Sequence, residues 1–153
     1  MALATVAAVL TLTSTAATQP PVTLEALLSA PFSSEMVAAP AGGRVAWVQN
    51  AKGSRNVWTA SAPDFSARQL TLHAGDDGQD ITSLTWAQDG RTVLYVRGGG
   101  PNRQGEIPNP ALSIEGTEQA IWAVEVSGTT VSRKLATGSS PAVSPTGEVV
   151  YLA

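Results

Sequence analysis

The pattern of apolar and polar positions between residues 84 and 96 predicts two β-strands joined by a tight turn. The segment reads LTWAQDGRTVLYV, in which β-branched and aromatic residues flank an Asp-Gly pair. Such a pair is a strong hairpin signal, because Gly90 accepts the positive φ of the turn and Asp89 can bond nearby backbone groups. We therefore expect a hairpin here.

The same hairpin pattern occurs three times, at intervals of roughly 50 residues. The turn glycines are Gly43, Gly90 and Gly147. After each of them come a polar residue, a valine, a small or aliphatic residue and an aromatic residue, with one extra residue in the middle copy. The equivalent aromatic residues are Trp47, Tyr95 and Tyr151.

The second halves of the first two copies also match. The segment NVWTA at 56–60 corresponds to AIWAV at 120–124, which makes Trp58 and Trp122 equivalent. A repeat of four short strands at this spacing is typical of a β-propeller blade, and the longer copy contains an insertion. We expect all four tryptophans to pack in the core between blades, since they recur at equivalent positions.

The predicted fold class is therefore all-β, an incomplete β-propeller of about two four-stranded blades and the start of a third. The propeller is predicted over residues 35–153, with blades at about 35–72, 81–136 and 140–153. Closed propellers need about four to eight blades, so we expect this chain to be the leading part of a larger propeller protein.

The segments before and between these strands have their own signals. In the lead-in segment, 19–34, residues 22–28 predict a short helix that Thr23 caps and Pro31 ends. Residues 98–118 contain three consecutive glycines and several prolines, which predicts a long surface loop. Inserted surface loops often carry function.

Residues 1–18 are apolar and end in small residues before Pro20 and Pro21, which predicts a signal peptide and a periplasmic or secreted protein. No basic residue precedes Arg44, so the alternatives are that the true start lies upstream or that the segment is an apolar tail. No run is long and apolar enough to predict a membrane span.

Composition narrows the function classes. The 153 residues carry a net charge of −3 without a basic stripe, so we expect no nucleic-acid partner. The chain has no cysteine, which removes disulfides and thiolate metal sites.

Three motifs in the second blade and in the connection before it carry a family resemblance. The segments GDDGQDI, VRGGG and GEIPNP together make the chain similar to the N-terminal propeller of bacterial prolyl oligopeptidase family peptidases, in the dipeptidyl-peptidase-like branch. The resemblance implies a propeller that gates and orients peptide substrates for a downstream α/β-hydrolase domain. It covers nearly all of the chain after the leader.

No catalytic residue is predicted in this chain. A nucleophile elbow needs G-x-S-x-G, which does not occur, and the single histidine, His73, lies in a predicted connection. Whether to class the chain as an enzyme is therefore left open: it resembles part of a serine peptidase, and we expect it to be inactive alone.

Three charged residues on or beside the insertion are the candidate substrate-binding residues: Arg97, Arg103 and Glu106. A glutamate could hold a peptide ammonium group and an arginine a carbonyl or carboxylate. The alternative is an exposed, solvated loop that contacts no ligand.

No metal and no cofactor are predicted. Residues 76–80, DDGQD, resemble a calcium loop only loosely, and a polar turn with aspartates capping backbone N–H groups is the preferred interpretation. A phosphate cradle at Gly98–Gly100 would need a following helix, which Pro101 disfavours.

A second function stays open. A non-enzymatic periplasmic propeller scaffold that binds protein partners, as in the Tol system, would show the same blades.

Overall fold

A computed structural model describes residues 21–127 and 131–153 of the chain. The predicted signal peptide, 1–18, and the first part of the predicted lead-in segment lie outside the described residues. The elements are α1 (Leu24–Leu28), β1 (Phe32–Ala38), β2 (Arg44–Ala51), β3 (Ser54–Ser61), β4 (Arg68–Gln69), β5 (Ile81–Trp86), β6 (Thr92–Arg97), β7 (Ala120–Glu125), β8 (Arg133–Thr137), β9 (Ser139–Val143) and β10 (Val149–Leu152).

The strands form three antiparallel sheets, each built from strands that are consecutive in the chain. Sheet 1 has the order β1-β2-β3-β4, sheet 2 has the order β5-β6-β7-β8, and sheet 3 is the hairpin β9-β10. The all-β prediction is confirmed. In the part of the chain that the structure describes, no helix has the length and apolar character to cross a membrane.

Two boundaries differ from the sequence prediction for local reasons. The fourth strand, predicted at 67–72, pairs only at Arg68–Gln69. Beyond it the Thr71 hydroxyl accepts the Val57 N–H at 2.9 Å, so a side chain replaces the next ladder bond. The predicted loop at 50–54 is only a two-residue turn, and both Lys52 and Gly53 have positive φ, as a type I′ hairpin turn requires.

The repeat seen in the sequence recurs in the register of the strands. Trp47 lies opposite Trp58 in sheet 1, and Tyr95 lies opposite Trp122 in sheet 2. The predicted equivalence of these two pairs is confirmed.

A backbone irregularity also recurs, at the same place in all three sheets. In the first strand of each sheet, two residues lie opposite one aromatic residue of the next strand, which is the arrangement of a β-bulge. The first bulge residue has a positive φ of 52° to 55° each time although none is glycine. The bulge residues are Glu35 opposite Trp47, Ser83 opposite Tyr95 and Ser140 opposite Tyr151.

The core lies between sheets 1 and 2. One face of sheet 1 packs against one face of sheet 2, and the first strands β1 and β5 lie side by side. The buried contributors include Ala46, Val48 and Val57 from sheet 1 and Val93, Tyr95 and Val124 from sheet 2.

Sheet 2 is buried on its other face as well. Val93, Leu94, Tyr95 and Val96 are consecutive in β6, so they alternate between the two faces, and all four are buried. Strand β9 of sheet 3 lies against β5, β6 and β7. The apolar run TVLYV is thus explained by contact on both sides of one strand.

The tryptophans do not share one environment. Trp86 is buried and its indole N–H donates to the Val37 carbonyl of β1 at 3.2 Å, and Trp122 packs against the core. Trp47 and Trp58 stack on each other, with ring centroids 6.5 Å apart, and are only half-buried. They lie on the face of sheet 1 turned away from sheet 2, so the core prediction is wrong for this pair.

The turn between β5 and β6 joins the two sheets. Gly90 has a φ of +60°, and its carbonyl accepts a hydrogen bond from the Arg44 guanidinium at 3.0 Å. Asp89 accepts the N–H groups of Arg91 and Thr92 at 2.7 and 2.9 Å, as the sequence predicted for an aspartate at this position. Burial alone would raise the pKa of Asp89, but the hydrogen bonds from Arg91 and Thr92 outweigh it and the pKa is lowered.

We expect Gly90→Val to destabilise the chain by about 1–3 kcal/mol, because a β-branched residue resists positive φ. A Cβ at position 90 would also lie 3.2 Å from the Ala41 carbonyl oxygen. The matched control is Gly147→Val in the equivalent turn, where φ is +89° but an added Cβ meets nothing within 4 Å. Urea unfolding of both variants measures the difference. Equal losses of unfolding free energy in the two variants would show that backbone strain alone, and not the contact with Ala41, causes the destabilisation.

Candidate functional site

Antiparallel connections bring three irregular segments to one end of the sheets. These are the β2–β3 turn, the linker between β4 and β5 (residues 70–80) and the insertion between β6 and β7 (residues 98–119). The β1–β2 and β5–β6 turns lie at the opposite end. The candidate site lies among the β2–β3 turn, the linker and the insertion.

Asn56 of β3 anchors the start of the linker. Its side-chain oxygen accepts from the Thr71 hydroxyl at 2.9 Å and from the His73 N–H at 2.8 Å. Its amide nitrogen donates to the His73 carbonyl at 3.0 Å. Both ends of this buried amide are therefore satisfied, and they hold the linker against sheet 1.

Charged residues hold the middle of the linker. Arg55 of β3 forms ion pairs with Asp76 at 3.2 Å and Asp80 at 3.1 Å. Asp76 and Asp77 accept the backbone N–H groups of Gly78 and Gln79. The predicted polar turn, in which aspartates cap backbone groups, is confirmed here.

The insertion contains no regular helix or strand, but its side chains give it local structure. Asn102 and Asn109 each cap a turn of four or five residues by bonding backbone groups within it. The insertion then packs against the linker. Pro110 lies on Gly78, where a Cβ would come within 2.4 Å of the proline ring and where φ is +68°. Only glycine fits this contact without movement.

A cavity of about 280 Å³ lies between the linker, the end of β6, β7 and the insertion. Asp77, Gln79, Arg97 and Trp122 line it from the sheet side. Residues between 111 and 118, including Glu118, line it from the insertion side. Its size lies just below the usual range of small-molecule sites, about 300–1,000 Å³.

Two ion pairs hold charged groups at the cavity. The Arg97 guanidinium pairs with the Asp77 carboxylate, and Glu118 pairs with Lys134 of β8. The Arg97 side chain is 24% exposed, so part of the guanidinium remains accessible. The cavity therefore presents both a cation and carboxylates to a ligand.

His73 lies behind this site, where the linker meets sheet 2. Its ring lies edge-on to the ring of Tyr95, with centroids 6.4 Å apart. Burial lowers the pKa of His73, the positive charge of Arg97 lowers it further, and the negative charge of Asp77 opposes these effects. Tyr95 is fully buried, and its hydroxyl donates to the Ser132 hydroxyl at 2.8 Å; burial raises the pKa of Tyr95.

The structure separates the three predicted site residues. Arg97 lines the cavity, whereas Arg103 and Glu106 lie on the exposed turn at 102–106, outside the cavity lining. Glu106 accepts a hydrogen bond from the Asn102 amide at 2.8 Å. The glutamate that lines the cavity is Glu118, which sequence reasoning missed; its only signal was its place where the insertion rejoins the repeat.

Sequence reasoning also missed Gln79, which lies in the DDGQD motif beside the aspartates that were considered as calcium ligands.

Among residues 21–127 and 131–153, no group of three or more His, Asp or Glu side chains is arranged to hold a metal ion. The Gly98–Gly100 run is not followed by a helix.

No protein-family model matches the chain, and no curated protein matches it.

We expect the single histidine to titrate below its ordinary value of 6.5, because burial disfavours the charged ring. The contribution of neutral His73 to the free energy of unfolding is then complete above pH 6.5. It is lost as the pH falls through the lowered pKa of the folded state. Arg97→Gln should raise the pKa of His73, and Asp77→Asn should lower it. NMR titration of the His73 ring protons measures this pKa in the unaltered chain and in both variants. Shifts of the same sign in both variants would contradict the electrostatic account.

Proposed function

We propose that this chain forms consecutive blades of a β-propeller of the prolyl oligopeptidase type, in the dipeptidyl-peptidase-like branch. In this proposal the propeller gates and orients peptide substrates. An α/β-hydrolase domain supplies the nucleophile and its base.

The observation that carries the proposal is the recurrence of one architecture. Two four-stranded meanders follow each other, their first strands lie side by side, and the same bulge stands opposite the same aromatic position in each. Radial repetition of four-stranded sheets is the principle of a propeller. The burial of sheet 2 on both faces supports the same arrangement.

The cavity supports a role in holding peptide. A peptide offers carbonyl oxygens along its length and a charged group at each end. Arg97 has donors beyond the one that Asp77 uses, and it can hold a carbonyl or carboxylate oxygen. Glu118 pairs with Lys134 through one carboxylate oxygen and can hold an ammonium group through the other. The cavity accommodates a short segment only, as expected for a site that orients one end of a substrate.

The predicted leader, 1–18, supports placing this activity in the periplasm or outside the cell. Peptides taken up or released there are the substrate class that we propose.

We expect the chain to bind tetraalanine and Arg97→Gln to weaken binding about tenfold, since a hydrogen bond from a charged donor is lost. The control is Arg103→Gln, which removes the same charge from the exposed turn and should leave binding unchanged. NMR titration of the ¹⁵N-labelled chain at low salt measures both affinities.

Equal weakening in the two variants would show that general charge attraction, and not the cavity, drives binding. If tetraalanine does not bind to the unaltered chain, the peptide-orienting role is contradicted and the scaffold interpretation is favoured.

A further inference from the structure

Gln79 is a buried polar residue in the wall of the cavity. It lies next to the end of the linker, its N–H donates to the Asp77 carboxylate at 2.9 Å, and the residue is only 6% exposed. Its neighbours in the lining include Arg97 and Trp122.

The Gln79 carboxamide has no hydrogen-bond partner among the residues that the structure describes. Asn56, the other buried amide side chain, uses both its oxygen and its nitrogen. Among the described residues, no side-chain N or O atom is at once inaccessible and unpaired. The Gln79 amide atoms therefore reach open space, and the cavity that the residue lines is that space.

An accessible amide without a partner in the protein leaves its donor and its acceptor free for a ligand in the cavity. A carboxamide has one face on which an acceptor oxygen and a donor N–H lie side by side. A second amide presents the matching pair, so two amides can form two hydrogen bonds together. A lone cation or anion satisfies only half of this pattern.

We infer that Gln79 binds a planar amide group of the ligand through a pair of hydrogen bonds. The C=O of the ligand amide accepts from the Gln79 amide nitrogen, and its N–H donates to the Gln79 carbonyl oxygen. A backbone peptide bond in the cis arrangement or a primary carboxamide offers both groups on one edge, and a trans peptide bond offers one of them at a time.

The surroundings fit this ligand chemistry. The charges of Arg97 and Asp77 are already paired, so the neutral Gln79 is the polar group of the sheet-side wall that lacks a partner. Trp122 supplies an apolar surface beside it. The volume of about 280 Å³ accommodates one amide with short flanking groups. The inference rests on the proposed function only in taking a peptide as the natural source of that amide.

The test compares an amide probe with its ester, using the full chain. The probes are N-acetylglycinamide and N-acetylglycine methyl ester, which lacks the terminal N–H donors. We expect the chain to bind the amide about tenfold more tightly than the ester, since a hydrogen bond is lost. In Gln79→Met this preference should disappear. In the control Gln88→Met, on the exposed β5–β6 turn, it should remain.

Thermal unfolding followed by circular dichroism establishes that the variants are folded. If Gln79→Met does not fold, Gln79→Leu provides the second variant, because its side chain also lacks the acceptor for the ligand N–H and should also lose the preference. NMR titration of the ¹⁵N-labelled chain measures each affinity.

The outcomes separate this inference from the proposed function. If the amide preference disappears in Gln79→Met but tetraalanine does not bind to the unaltered chain, the inference about Gln79 is supported and the peptide-orienting role is contradicted. If tetraalanine binds with the expected dependence on Arg97 while Gln79→Met retains the amide preference, the inference is overturned and the proposed function stands. Absence of any preference for the amide in the unaltered chain also overturns the inference.

Discussion

The packing of sheet 1 against sheet 2 is the constraint on which the rest of the structure depends. Neither meander can hide its apolar face alone, because a sheet buries that face only by packing against another element. Tyr95 is the largest fully buried side chain of the described residues, and it lies in the cluster where the two sheets meet. Burial of such side chains contributes about 1.5–3 kcal/mol each, which makes this contact the main source of stability between the sheets.

Polar groups fix how the two sheets are placed. The Trp86 indole bonds the β1 backbone and the Arg44 guanidinium bonds the Gly90 carbonyl, so one directional contact lies within the core and one at its edge. Apolar contact alone is not directional. These bonds select one arrangement among those that bury a similar area.

The repeated bulge is the feature that most clearly relates the sheets to one another. Glu35, Ser83 and Ser140 adopt positive φ, which costs of order 1 kcal/mol each for a residue other than glycine. A bulge increases the local twist and bends the strand. The bend lies in the first strand of every sheet, where neighbouring sheets approach most closely. The conformation is therefore maintained by the packing of sheets and belongs to the architecture.

The candidate site is a product of the same packing. Asn56 and Arg55 of sheet 1 hold the linker, and the linker carries Asp77 and Gln79 to the end of β6 in sheet 2. The insertion closes the other side through the contact of Pro110 with Gly78. The linker and the insertion thus present a paired arginine and an unpaired amide to one small cavity, and the exposed turn at 102–106 does not line it.

The sequence by itself determined the strands, the turns and the repeat. The apolar run of β6, the Asp-Gly turn at 89–90 and the helix cap at Thr23 are encoded within a few residues, and each was predicted correctly. Only the tertiary structure decided which faces meet and which residues converge. Nothing local marks Ser83 for positive φ, since serine has no intrinsic preference for it. Gln79 and Glu118 line the same cavity because the linker and the insertion meet at one end of the sheets. The position of the linker relative to the insertion depends on how sheet 1 packs against sheet 2.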